Sequence, residues 1–165
     1  VAEFQFPQRG WACLMELYRP DLVGDRAVVL GLDTIIVGDL SAIEGAEGEF
    51  IAPIDPYYAP KLCNALISLS AAAAEGLWDR WMRGRDLHLR DRKNYIGDHF
   101  SEMEWLRRHV RPDQWWNDLL PGQIASYKAD LNRGDPTEET RVVYFHGMPK
   151  PQTIALKPWV QKHWT

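Results

Sequence analysis

The apolar and polar positions of this chain fall into two periods. Residues 26–39, RAVVLGLDTIIVGD, make an apolar run broken at one aspartate: Val28, Val29, Leu30 and Leu32 lead into Asp33, and Ile35, Ile36 and Val37 follow it. A continuous aliphatic and β-branched run predicts a strand buried on both faces, so residues 28–32 are expected to form a central strand. Residues 141–146 alternate instead, with Val142, Tyr144 and His146 on one face and Val143 and Phe145 on the other. Shorter strands are expected at residues 3–6, 50–54 and 64–69.

Helical spacing shows at Trp11, Leu14, Met15 and Tyr18, which stand at i, i+3, i+4 and i+7. Ser70 is a suitable N-cap for a helix over residues 71–82, and Asp98 for one running to residue 110 with Phe100, Met103, Trp105 and Leu106 on its apolar face. Pro158 suits the first turn of a short last helix. The basic residues 83–93 lack a clean period and read as a long loop or a poorly amphipathic helix. NRGDPTEE, residues 132–139, is the plainest loop. Strands and helices alternate, so the class is α/β, with residues 1–165 as a single domain.

The net charge of -4 supplies no basic field for nucleic acid and points to a small-molecule or protein partner. No stretch is apolar enough to span a membrane, and the first residues lack the basic start and apolar core of a signal peptide. The two cysteines, Cys13 and Cys63, form no CxxC motif and read as free thiols of a reducing, cytoplasmic setting, although one disulfide stays open. Two readings of Asp33 also stand open. A carboxylate at a strand end is costly unless it is paired or holds a ligand, and the carboxyl ends of strands are where open α/β sheets bind theirs. Alternatively, Asp33 and Thr34 only make a turn between two short strands.

Four segments, in order, carry a family resemblance: GWACLMELYRPDL at residues 10–22, VVLGLDTIIVGDL at 28–40, YIGDHFSEMEWL at 95–106 and VVYFHGMPKP at 142–151. GQIASYKADL and the closing WVQKHW join them. The set resembles the GT-A-fold, glycogenin-like glycosyltransferases, especially small bacterial and phage proteins of that kind. The resemblance implies a mixed, mostly parallel central sheet flanked by helices. It also implies that the chain matches the C-terminal two-thirds of such a domain, without the N-terminal portion that holds the nucleotide base.

By that resemblance Asp33 is the second acid of an Asp-x-Asp motif whose first position is Gly31, and it would bind Mn²⁺ or Mg²⁺ on the diphosphate of a nucleotide-diphosphate sugar. The Gly-x-x-Lys-Pro pattern implies diphosphate contacts from Gly147 and Lys150. It aligns Tyr144 with the family's metal-binding histidine, and His146, two residues on, is the substitute ligand or a half-buried structural histidine. Asn64 is a further expected substrate-binding residue. Asp98 matches a Gly-Asp-Gln motif near sugar and acceptor, with His99 in place of Gln, and is the candidate catalytic residue. Two functions follow: metal-assisted transfer of a sugar to an unknown acceptor, or a degenerate, non-catalytic module binding carbohydrate or a protein partner. The eight tryptophans suit sugar stacking, but Trp11, Trp78 and Trp105 fit helix-periodic core positions.

Overall fold

A computed structural model describes residues 3–5 and 10–164. A 3-10 helix, Gly10–Tyr18, and a short helix α1 (Pro20–Val23) lead to β1 (Arg26–Leu30) and β2 (Thr34–Ile36). Helix α2 (Ser41–Glu44), β3 (Phe50–Ala52) and β4 (Leu66–Ser70) precede the long helix α3 (Ala71–Arg90). A hairpin of β5 (Tyr95–Ile96) and β6 (His99–Phe100) opens into α4 (Glu102–His109). Then come β7 (Gln114–Trp115), α5 (Trp116–Leu119), β8 (Ile124–Ser126), β9 (Val142–Tyr144) and α6 (Pro158–His163).

Two sheets carry the fold, one in the order β1-β4-β3-β7 and the other β2-β9-β8. The α/β class holds, but the pairing is not mostly parallel: β1–β4, β3–β4, β2–β9 and β5–β6 run antiparallel, and only β3–β7 and β8–β9 run parallel among the described strands. Nor is the strand over residues 28–32 central. It ends at Leu30 and lies at a sheet edge, paired with β4 alone among the described strands, so all five of its residues are half-buried, and Leu32 is fully exposed at 101%. The apolar run is two strands of different sheets, with the Gly31–Asp33 segment crossing between them.

The first helical segment buries Ala12, Met15 and Tyr18, three residues apart, because it is wound as a 3-10 helix with three residues per turn. That winding leaves Leu14 near the surface and Trp11 49% exposed, so Trp11 is not a core residue. Helix α3 runs on through the basic segment to Arg90. Its alanines, leucines and arginines favour helix, Arg83 pairs with Asp79 one turn back at 3.0 Å, and His88 and Arg90 suit the negative end of the helix dipole. Ser70 caps it as expected, accepting a hydrogen bond from the Ala73 N–H at 3.1 Å. The helix expected to open at Asp98 starts later. Gly97, at φ +59°, turns the β5–β6 hairpin, and Ser101 is the cap of α4. Residues 3–5 form no strand, and the rest of that expected strand lies outside the described residues.

Three apolar clusters fill the interior. The first joins the 3-10 helix, α3, α4, β3 and β4 around Trp81 and Trp105. Trp116, whose indole N–H donates to the Leu66 carbonyl at 3.1 Å, anchors the second. Strand β9 divides the second cluster from the third: Val142 and Tyr144 face one, Val143 and Phe145 the other, as the alternation predicts.

Candidate functional site

Register across the second sheet sets the site. Thr34 of β2, Tyr144 of β9 and Ser126 of β8 form one row, since Thr34 pairs with Tyr144 and Tyr144 with Ser126. β2 runs opposite to β9 and β8, so the residue before Thr34 and those two past Tyr144 and Ser126 emerge at one end of the sheet. Those residues are Asp33, His146 and Lys128, and Asp33 and His146 therefore share a sheet end, as the family resemblance implies.

The loop beyond β9 turns at Gly147, φ +62°, and brings Lys150 back so that its ammonium is ion-paired with the Asp33 carboxylate. His146 Nε2 is hydrogen-bonded to Ser126 Oγ at 2.7 Å. Its ring lies 5.7 Å from that of Tyr144 and 5.0 Å from that of the exposed Tyr57. Burial, then the positive charge of Lys128, holds the imidazole below its ordinary pKa, which favours the neutral ring. Lys128 rides on a tight turn braced at both ends: Ser126 Oγ accepts from the Ala129 N–H at 3.1 Å, and Asp130 accepts from the Ser126 N–H at 2.6 Å. The Lys128 ammonium lies 5.8 Å from the Tyr57 ring centroid and makes no ion pair among the described residues.

The loop carrying Tyr57 is itself fixed. Asp55 accepts the backbone N–H groups of Tyr57 and Tyr58 at 2.8 and 3.1 Å, and its other oxygen is bonded to the buried guanidinium of Arg107. The guanidinium also donates to Leu62 O at 2.8 Å and pairs with Glu104 at 2.6 Å, so this pairing is hydrogen-bonded on several sides.

The other expected residues lie elsewhere. Asn64 donates its amide to Glu102, a buried carboxylate that also takes the Tyr18 hydroxyl, and so Asn64 is tied to the core. Its neighbour Ala65 accepts the Gly31 N–H at 3.1 Å, so it stands close to the Asp33 segment without touching the Lys150 pair. Asp98 is 92% exposed on the β5–β6 turn and bonded to Arg92 at 2.8 Å. It shares no hydrogen bond or ion pair with the Asp33 cluster among the described residues.

The donor set does not fit a hard divalent cation. Beside water and phosphate oxygens, such an ion needs one or two protein carboxylates free to bind it. Here Asp33 is neutralised by Lys150, Asp55 is committed to Arg107, and Asp130 caps the turn at Ser126. Tyr144, at the aligned ligand position, is a buried phenol whose pKa burial pushes far up, so it stays neutral. A side chain at Gly31, where the first acid of the motif would stand, would begin 3.2 Å from Asp33 Oδ1. Among the described residues no group of three or more His, Cys, Asp or Glu converges.

Lys128 and Tyr57 were not singled out from the sequence. Lys128 stands two residues past the short strand Ile124–Ser126, near a strand end as Asp33 is. No helix of the described residues is long and apolar enough to cross a membrane.

No known family profile and no curated protein matches the sequence. Among solved structures the chain resembles the glycosyltransferase GlyE of Streptococcus pneumoniae TIGR4, with a TM-score of 0.56 and 16% identity over 84% of this chain. It spans 38% of that chain's length. At that identity the likeness is one of fold: this chain is folded like part of a glycosyltransferase.

Proposed function

We propose that this chain binds the diphosphate of a nucleotide-diphosphate sugar and takes part in transferring the sugar to an acceptor. The observation that carries the reading is the meeting of Lys150, Lys128 and the Gly147 turn at one sheet end, in a fold shared with part of a glycosyltransferase. In the transfer, the bond from the anomeric carbon to the diphosphate oxygen breaks and its electron pair leaves on that oxygen. The acceptor hydroxyl forms the new bond and gives its proton to the departing diphosphate oxygen or to water. Negative charge grows on the diphosphate, where positioned ammonium groups lower the barrier. Tyr57, exposed and beside His146, offers a ring face to the sugar or base.

A second reading, a non-catalytic module of the same shape that holds carbohydrate or a protein partner, draws on one observation. The carboxylates around the cluster, Asp33, Asp55 and Asp130, are all engaged, which leaves none of them free to take the acceptor proton.

Calorimetry of the 165-residue chain with uridine and guanosine diphosphate sugars tests the first reading. Binding that weakens in Lys150→Met supports it, and release of the nucleoside diphosphate from the bound donor decides between enzyme and module. Binding of free sugars with none of the diphosphates would leave the module reading alone.

A further inference from the structure

We infer that the diphosphate charge is met here by two ammonium groups, Lys150 and Lys128, in place of a divalent metal, with Asp33 serving as the counter-ion that holds Lys150 until the diphosphate takes it. This rests on the diphosphate reading given above and assigns the charge chemistry of that same site.

The argument begins with the cation that touches Asp33. In a metal site the aspartate and the lysine do separate jobs: the carboxylate holds the ion and the lysine reaches the phosphates. Here they are bonded to each other. An ion entering would have to displace the ammonium and then find its remaining ligands among groups that already serve the fold. Gly31 offers none, Asp130 and Asp55 hold backbone turns, and the His146 Nε2 is taken by Ser126.

A diphosphate entering the same place meets the opposite situation. Lys128 has no ion pair among the described residues, and it stands within reach of the Gly147 turn, where a Cβ would lie 3.4 Å from its Nζ. Lys150, three residues past the same turn, is held at that sheet end by its ion pair with Asp33. His146 adds no positive charge of its own. With Nε2 accepting from the Ser126 hydroxyl, the one N–H of the neutral ring lies on Nδ1 and is a donor for phosphate oxygen, and Ser126 and Tyr144 fix the ring.

The exchange is favourable because it trades one half-exposed carboxylate for a group carrying more negative charge. Lys150 keeps an anionic partner throughout and Lys128 gains one. Asp33 is then a positioning residue that competes with the ligand. This reverses the sign expected for a metal ligand: neutralising Asp33 should help binding, because the ammonium is freed and a like charge beside the diphosphate is removed.

Inorganic pyrophosphate is the probe, since it reads the diphosphate subsite without needing the base or the sugar. The experiment is calorimetry of the chain with pyrophosphate in EDTA and again with Mn²⁺, repeated on Lys150→Met, Lys128→Met and Asp33→Asn, with circular dichroism to confirm that each is folded. We expect binding in EDTA, no gain with Mn²⁺, a loss of about tenfold or more in each lysine variant, and tighter binding in Asp33→Asn. Binding that requires Mn²⁺ and disappears in Asp33→Asn overturns the inference and leaves the diphosphate reading standing. Binding in EDTA that neither lysine variant weakens overturns the assignment of these two residues. No binding under either condition removes both.

Discussion

The Tyr18 hydroxyl donates to the carboxylate of Glu102 inside the first apolar cluster, and Asn64 donates to the other carboxylate oxygen. Burial is the larger effect on that carboxyl and raises its pKa from the ordinary 4.5 to about 7, although the two hydrogen bonds pull it back down. A carboxyl whose folded pKa is raised binds its proton more tightly in the folded state. Its stability contribution is complete below about pH 4.5 and is lost as pH rises toward 7. Thermal unfolding followed from pH 4 to pH 9 should show the midpoint falling across that window. Glu102→Gln, which keeps the shape and an acceptor, should flatten the profile and exceed the parent at pH 8 by on the order of 3 kcal/mol. A parent profile that rises between pH 5 and 7 would contradict this.

Asp55 and Arg107 should behave as a unit. Removing one partner leaves the other buried and charged, so Asp55→Ala and Arg107→Met should each cost about 3 kcal/mol in urea unfolding. The double variant should cost less than the sum. Because Asp55 also holds the N–H groups of Tyr57 and Tyr58, Asp55→Ala should weaken donor-sugar binding as well. Additive single effects would show that the two do not interact.

The break in the apolar run at Asp33 has opposite consequences on its two sides. Leu32 is fully exposed, and Leu32→Ser should change stability by no more than about 0.5 kcal/mol. Ile35 is buried in the third cluster, and Ile35→Ala should cost about 2 to 4 kcal/mol. Chemical denaturation of the two variants side by side checks both.

Gly147 sits at φ +62° with Lys128 Nζ 3.4 Å from where a Cβ would stand. Gly147→Ala should therefore cost about 1 to 2 kcal/mol of backbone strain. The added methyl would only touch Lys128, so any fall in pyrophosphate affinity should come through the altered turn that carries Lys150. Unchanged affinity in a folded Gly147→Ala protein would show that the conformation of this turn does not set the position of Lys150.

Over β9 and at the start of α3 the sequence was a sound guide. The alternation over residues 141–146 foretold which side chains of β9 face which cluster, and Ser70 caps α3 as its residue type suggests. Residues 26–39 misled because a hydrophobic run reports burial propensity and says nothing of which sheet each half joins. Asp98 misled because a carboxylate before an apolar period suits a helix cap, while Gly97 beside it suits a hairpin turn, and the turn prevailed. The Asp33–Lys150 pair joins positions 117 residues apart, and no local pattern encodes that contact.

The placement of β9 between two packed clusters bears on how fast a ligand can be taken up. Its loop leaves a strand gripped on both faces, so the groups at its end are carried on a stiff mount, and Lys150 can change partner by rotating about its own side-chain bonds. Rotamer changes of that kind take picoseconds to nanoseconds, whereas loop closure takes microseconds or longer. Capture should then run at the rate of encounter, quickened by the lysine charges and slowed by added salt, with no slower conformational phase following it.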